Sequence, residues 1–223
     1  MQRVVTPELL DSDAGSPAEV AASLRDLRDL NRFLGGIGLT STLLQRVASA
    51  KQTQTLSVLD VAGGEGYLLA RVIKRLGKRK ISVTGTLLDR AHTHMQPDAH
   101  ALCAVRGDAL ALPCQNNAFD VVTSNLFVHH LEPDEVQQFF REAARVARYA
   151  VVVNDLERHW LHWRLAQLGG VIYRSRITRN DAPASVQRAY TAAEMREMLK
   201  PLGLRFEVVR NYFYRLGVVV WKE

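Results

Sequence analysis

Apolar residues recur along this chain with two different periods. Val20, Leu24, Leu27 and Leu34 fall at three-, four- and seven-residue spacings, which predicts an amphipathic helix resting against the body of the domain. Ser16-Pro17-Ala18-Glu19 starts it with a serine cap, a proline in the first turn and a glutamate where a capping box needs one, and Gly35-Gly36 stops it. A shorter helix over roughly Thr40 to Ala48 follows, so residues 1–50 read as a helical lid or brace. From residue 56 short unbroken apolar runs alternate with helical stretches. Strands are expected at Leu56 to Val61, Ile81 to Leu88, Cys103 to Arg106, Phe119 to Ser124 and Ala150 to Asn154. Helices are expected from Tyr67 to Leu76, ending at Gly77, and from Pro133 to Arg148, where Val136, Phe139, Phe140, Ala143 and Ala147 share a face. Continuous apolar strands in such alternation imply a parallel sheet covered on both faces.

The last third departs from that rhythm. After a polar, arginine-rich segment from Asp155 to Tyr190, a second capping box, Thr191-Ala192-Ala193-Glu194, opens a helix ending near Gly203. The strands expected at Leu204 to Arg210 and Tyr214 to Trp221 have almost nothing between them, so they must be antiparallel neighbours, because a parallel return needs a crossover. The expected fold is therefore α/β and doubly wound: about seven strands, mostly parallel, with an antiparallel C-terminal hairpin and an N-terminal helical extension. Residues 1–223 read as one domain, with a core at 56–155, an insertion at 155–190 and a C-terminal helix and hairpin at 191–223.

Composition narrows the class only a little. With 47% hydrophobic and 23% charged residues, 223 residues suffice for one well-buried core. Two cysteines, Cys103 and Cys114, match neither a disulfide framework nor a metal spacing, and are expected to be buried or half-buried thiols of a reducing compartment. Residues 1–13 do not read as a leader and no run is apolar enough for a membrane span, so the expected location is cytoplasmic. The formal charge of +6 suits an anionic partner without requiring one.

The chemistry is carried by Leu59-Asp60-Val61-Ala62-Gly63-Gly64-Glu65-Gly66. A strand ending in a glycine-rich turn that opens a helix presents free backbone N–H groups to a polar ligand. A dinucleotide fingerprint would need a small residue where Tyr67 stands, and a P-loop needs a Gly-Lys-Ser/Thr that is absent. An acid at the strand end followed by Ala62, Gly64 and Gly66 instead resembles the first motif of the class I S-adenosylmethionine-dependent methyltransferases, with Ala62 in place of the usual first glycine. Further segments keep the resemblance in order: Asp89-Arg90 at the end of the second strand, 23 residues after Gly66; Gly107-Asp108-Ala109-Leu110 after the third; and Phe119 to Asn125, then Leu126 to Leu131, at the fourth. The resemblance implies a Rossmann-like sheet and S-adenosylmethionine as cofactor. Asp60 would face its ammonium, Gly63, Gly64 and Gly66 would leave room for it, Asp89 would accept from the ribose hydroxyls, Asp108 from the adenine amine, and Arg90, Ala109 and Asn125 would lie alongside.

Methyl transfer from a sulfonium is an in-line displacement in which alignment and exclusion of water do much of the work. Acceptor-side residues should stand at the carboxyl ends of the strands, where His129, His130 and Asp155 lie. A neutral histidine is suited to take a phenolic proton; alternatively, one histidine packs and the other caps the helix near Pro133. Asp155 is a third catalytic candidate, or it holds Arg158 or the following helix. The 155–190 segment carries His159, Trp160, His162, Trp163 and Tyr173, which suits a flat or apolar acceptor, and Arg174, Arg176 and Arg179, able to grip a carboxylate or to remain solvated. Its wording, together with that of Ser185 to Thr191, resembles bacterial methyltransferases of polyketide and quinone-type biosynthesis.

The expected activity is thus S-adenosylmethionine-dependent methylation of a small aromatic or polyketide-like molecule. Two rivals remain: a nucleic-acid methyltransferase using the basic run Lys74 to Lys80, and a catalytically silent S-adenosylmethionine-binding protein, for which Ala62 is the argument. The basic run sits at a helix C-terminus, where cations favour the helix dipole, on the side away from the strand carboxyl ends. No metal ligands are assigned, because no acidic cluster follows the fourth and fifth strands.

Overall fold

The computed structural model describes residues 1–10, 15–90 and 102–223. Two helices come first, α1 (Pro17–Phe33) and α2 (Gly36–Ala50). The alternating region follows: β1 (Thr55–Val61), α3 (Tyr67–Gly77), β2 (Ser82–Asp89), β3 (Cys103–Arg106), β4 (Phe119–Asn125), α4 (Pro133–Val146) and β5 (Ala147–Leu156). The chain ends with α5 (Trp160–Leu168), α6 (Arg176–Arg188), α7 (Ala192–Leu199), β6 (Phe206–Asn211) and β7 (Arg215–Trp221). The seven strands form one sheet in the order β3-β2-β1-β4-β5-β7-β6, and β7 alone runs against the rest.

Strand alternation sorts the core into two layers. Leu59 and Val61 of β1 and Val151 and Val153 of β5 pack with Phe139 and Phe140 of α4 and Met195 and Leu199 of α7. Leu56, Val58, Ala150 and Val152 point the other way, against Leu43, Leu44 and Val47 of α2 and Leu69 and Val72 of α3. Successive strand residues thus feed opposite faces, and both faces are covered. The capping boxes at Ser16 and Thr191 form as expected.

Three expectations need correction. The second helix is longer than Thr40 to Ala48 because Gly35, at φ 86°, turns the chain and lets α2 begin at Gly36. The apolar stripe expected on the first helix is not buried: Val20, Leu24 and Leu27 are half-buried and Leu34, the C-cap of α1, is exposed, and the three leucines line a cavity instead of packing on the sheet. Of the two free thiols, Cys114 is half-buried but Cys103, on the edge strand β3, is exposed. No helix among the described residues is long and apolar enough to cross a membrane.

The order of strands places the site. β1 leads outward to β2 and β3 on one side, while β4, β5, β7 and β6 extend on the other, so the direction of winding reverses between β1 and β4. The crevice beyond the carboxyl ends of those two strands is where open α/β sheets bind ligands.

Candidate active site

A cavity of about 1160 Å³ opens at that reversal point. The turn after β1 forms its floor. Asp60 is 2% exposed there, its Oδ1 accepting a hydrogen bond from Nδ2 of Asn125 at 3.3 Å, while Thr40 of α2 donates to Asn125 Oδ1 at 2.6 Å. Burial pushes the Asp60 carboxyl up to about 7, the Asn125 hydrogen bond opposing this and the nearby Asp89 charge adding to it. A carboxylate in that state favours a cationic ligand.

Ala62 departs from what its residue type prefers. Its φ is 57°, in the left-handed region, so the negative φ that would let an alanine replace the first glycine without strain is not adopted. The turn continues left-handed through Gly64 and Gly66, at φ 51° and 79°. At Gly66 a side chain is also barred by space: a Cβ would stand 2.7 Å from Cδ1 of Leu87. Ala62→Gly is expected to raise stability by about 1 kcal/mol, moving the thermal midpoint up by ~2–4 °C. Scanning calorimetry checks this, and an unchanged or lower midpoint would show that the turn carries no strain at position 62.

Asp89, at the end of β2, accepts the Gly64 N–H through Oδ2 at 2.9 Å, which fixes its carboxylate against the turn. Arg90, Gly107, Asp108 and Ala109 continue the same wall, and Oδ1 of Asp108 accepts from the Leu110 N–H at 2.8 Å. Asp60, Ala62, Gly63, Gly64, Asp89, Arg90, Asp108, Ala109 and Asn125 therefore all border one cavity, with Gly66 packed behind it as the N-cap of α3. Sequence reasoning missed the clamp on this turn: Arg28 of α1 makes a two-pronged pair with Glu65, both contacts at 2.7 Å. Two charges 37 positions apart carry no local signal of pairing.

The opposite wall holds His129, His130, Leu10, Glu8, Phe127 and Tyr173. Asp155 joins His129 twice, accepting its backbone N–H at 3.0 Å through Oδ2 and meeting its Nδ1 at 2.6 Å through Oδ1. Burial alone would lower the His129 pKa, but the Asp155 charge and hydrogen bond, helped by Glu8, raise it to about 9. The flanking carboxylates thus favour the protonated form of His129, which runs against its use as a neutral base. Neither histidine caps α4, whose N-cap is Glu132 with a capping box to Glu135. Nor does Asp155 hold Arg158, which pairs with Glu194 at 2.5 Å.

The 155–190 segment folds as α5 and α6 and contributes less than its composition implied. His162 and Tyr173 reach the cavity, while Trp160, 60% exposed, lies outside it along with His159 and Trp163. Arg174 pairs with Asp26 and Asp29, Arg176 with Glu19, and Arg179 donates to the Tyr173 carbonyl, so these arginines brace the segment to α1 or to itself. Phe213 and Tyr214, in the turn between β6 and β7, complete the rim; both take positive φ, and Tyr214 stacks on His159 and His162.

Comparison with solved structures identifies the fold that carries this cavity. The plantazolicin methyltransferase BpumL, in complex with a triazolic desmethylPZN analog and SAH, superposes with a TM-score of 0.72 over 96% of this chain and 93% of its own, at 13% identity. A SAM-dependent methyltransferase from Aquifex aeolicus gives 0.58 over 88% and 97%, at 16% identity. The fold is that of the class I methyltransferases. Within it, residues 58–149 match the family described as a methyltransferase domain. The chain is 33% identical, over 96 residues, to the ubiquinone/menaquinone biosynthesis C-methyltransferase UbiE of Ruegeria sp. (strain TM1040), and 36% identical over 96 residues to that of Roseobacter denitrificans (strain ATCC 33942 / OCh 114). These matches cover 41% of this chain and 38% of each relative, so the aligned part is well under half the length of the curated relatives. The region matched by the family thus runs from within β1 to the start of β5, while α1, α5 and α6, which also line the cavity, lie outside it.

Proposed function

We propose that this class I methyltransferase binds S-adenosylmethionine along the Asp60–Asp89–Asp108 wall and transfers its methyl group to a small, flat molecule held against α1, Tyr173 and the His129–His130 turn. The observation that carries this reading is the two-sided cavity. Its volume of about 1160 Å³ exceeds the ~300–1,000 Å³ of an ordinary single-ligand pocket, which supports two ligands side by side. One side is acidic, with backbone N–H groups from the glycine turn; the other is lined by Leu24, Leu27, Phe127 and Tyr173.

In this reading the acceptor's nucleophile attacks the methyl carbon from the face opposite sulfur, the carbon–sulfur bond breaks, and S-adenosylhomocysteine leaves. Asp60 takes the ammonium of the cofactor, Asp89 the ribose hydroxyls and Asp108 the purine amine. His130, His129 and Asp155 stand at the acceptor end, and α1, clamped through Arg28 to Glu65, covers the cofactor turn and excludes water. The names of the relatives point to the same class of acceptor, since UbiE acts in ubiquinone and menaquinone biosynthesis and a further neighbour, ChlM of Synechocystis PCC 6803, is a magnesium protoporphyrin IX methyltransferase (TM-score 0.54, 15% identity, 82% of each chain). Lys74 and Arg75 lie in the last turn of α3, at the end of that helix remote from the cavity, which favours a small acceptor over a nucleic acid.

Calorimetric titration with S-adenosylmethionine tests the cofactor half. Saturable binding is expected, and Asp89→Ala should weaken it by at least about tenfold, the equivalent of one strong charge-assisted hydrogen bond. No heat and no thermal shift at millimolar cofactor would sink the proposal. Labelled-methyl transfer to a panel of phenols, hydroxyquinones and azoles tests the acceptor half.

A further inference from the structure

The N-terminal segment brings into the cavity a carboxylate that the methyl-transfer reading does not use. Glu8 is 7% exposed, and its Oε1 has no hydrogen-bond partner; neither has Nε2 of His129, which is 3% exposed. The two atoms face each other at 3.7 Å, and Nε2 of His130 stands 3.9 Å from the same Oε1. These separations are too long for hydrogen bonds, and a buried carboxylate oxygen without one is costly. The approach of Glu8 is nevertheless firmly built. The backbone N–H groups of Leu9 and Leu10 donate to the two carboxylate oxygens of Asp181 at 2.9 and 3.0 Å. Upstream, Arg3 donates to Glu132 at 2.9 Å and the Val4 N–H to the Gln187 carbonyl at 3.2 Å.

We propose that Glu8, His129 and His130 form a binding site for a single divalent transition-metal ion. Two imidazole nitrogens and one carboxylate oxygen are a donor set that first-row ions occupy while keeping open positions. Donors ~2.0–2.1 Å from a tetrahedral ion stand about 3.4 Å apart, so separations of 3.7 and 3.9 Å require the side chains to close on the ion by a few tenths of an ångström. All three donor atoms lie within 4.8 Å of one another. The carboxylate of Asp155 on Nδ1 of His129, at 2.6 Å, supplies the outer partner that orients a metal-bound imidazole, and the ion displaces to solvent the proton that Nε2 otherwise carries. Magnesium and calcium suit the site poorly, since they prefer oxygen donors.

Such an ion would tie the N-terminal segment to the turn after β4 and present an open position to the cavity beside His130, where an oxygen of the acceptor could complete its coordination. Sequence reading had no access to this, because Glu8 lies 121 positions before His129.

The test needs neither cofactor nor acceptor, so its outcome is separable from that of the methyl-transfer reading. Chelator-treated protein would be titrated with zinc and cobalt chlorides, following bound metal by elemental analysis and the cobalt spectrum in the visible range. One equivalent is expected, with a spectrum of nitrogen and oxygen ligation. Glu8→Gln and His130→Ala should each weaken uptake by at least about tenfold, while His159→Ala, which alters a histidine stacked on Tyr214, should not. Glu8→Gln changes no side-chain volume, and circular dichroism confirms its fold. Absence of uptake, equal uptake by both variants, or a sulfur-to-cobalt charge-transfer band would each overturn the assignment.

Discussion

With Asp60 taking the cofactor's ammonium as proposed, S-adenosylmethionine is expected to bind about tenfold more weakly for each pH unit below 7, because the carboxyl must first lose its proton. Burial lifts this carboxyl to about 7 in the free protein, and a cation bound beside it would draw it back down, so binding releases a proton. Affinity should therefore climb between pH 5 and 7 and level off above. Asp60→Asn should abolish the slope and hold affinity near its acidic value at every pH, as read by calorimetry in two buffers of different ionisation enthalpy. A flat profile in the unaltered protein would separate Asp60 from the ammonium. Stability carries the opposite sign. A carboxyl whose folded pKa lies above its unfolded value stabilises fully below about 4, and the contribution is lost as pH rises through about 7. The charged form costs on the order of 4 kcal/mol, and Asp60→Asn should recover much of it at pH 8.

The second large effect is expected at Asp155. Its carboxylate is 2% exposed and serves three donors: the His129 backbone, His129 Nδ1 and the Leu156 N–H, the last at 2.7 Å. It is also the charge that favours protonated Arg215, whose pKa burial lowers to about 10. Asp155→Ala should cost about 3–5 kcal/mol in urea denaturation, the scale for stripping one partner from a buried charged pair. Most of that cost is the stranded partner, so Asp155→Ala combined with His129→Ala should cost clearly less than the two separately. Strict additivity would show that the two residues do not act as a unit.

That Asp60, Asp89 and Asp108 would border one cavity was legible because each part of that wall is local. Asp60, the glycine turn, Asp89 and Asp108 each follow a strand whose apolar run marks its end, and parallel pairing through β4 brings those ends to one edge. The antiparallel hairpin was legible for a similar reason, since three residues between β6 and β7 permit nothing else. The rest of the cavity lining was less legible where composition stood in for placement. Aromatic richness in 155–190 pointed to Trp160 and Trp163, yet the phase of α5 turns them from the cavity and admits His162, while Tyr173 enters from the connection between α5 and α6. Arg174 and Arg176 there meet acids on α1 that are some 150 positions away.

The order of short apolar runs, capping boxes and strand-end acids determined the class I methyltransferase sheet and one side of its cavity, because those signals act over a few residues. Only the tertiary structure decided the left-handed strain at Ala62, the Arg28–Glu65 clamp, the Asp155–His129 pair and the approach of Glu8. Each depends on how far-separated segments fold over the strand ends, where burial and opposing charge, rather than residue type, set the protonation and conformation of a side chain.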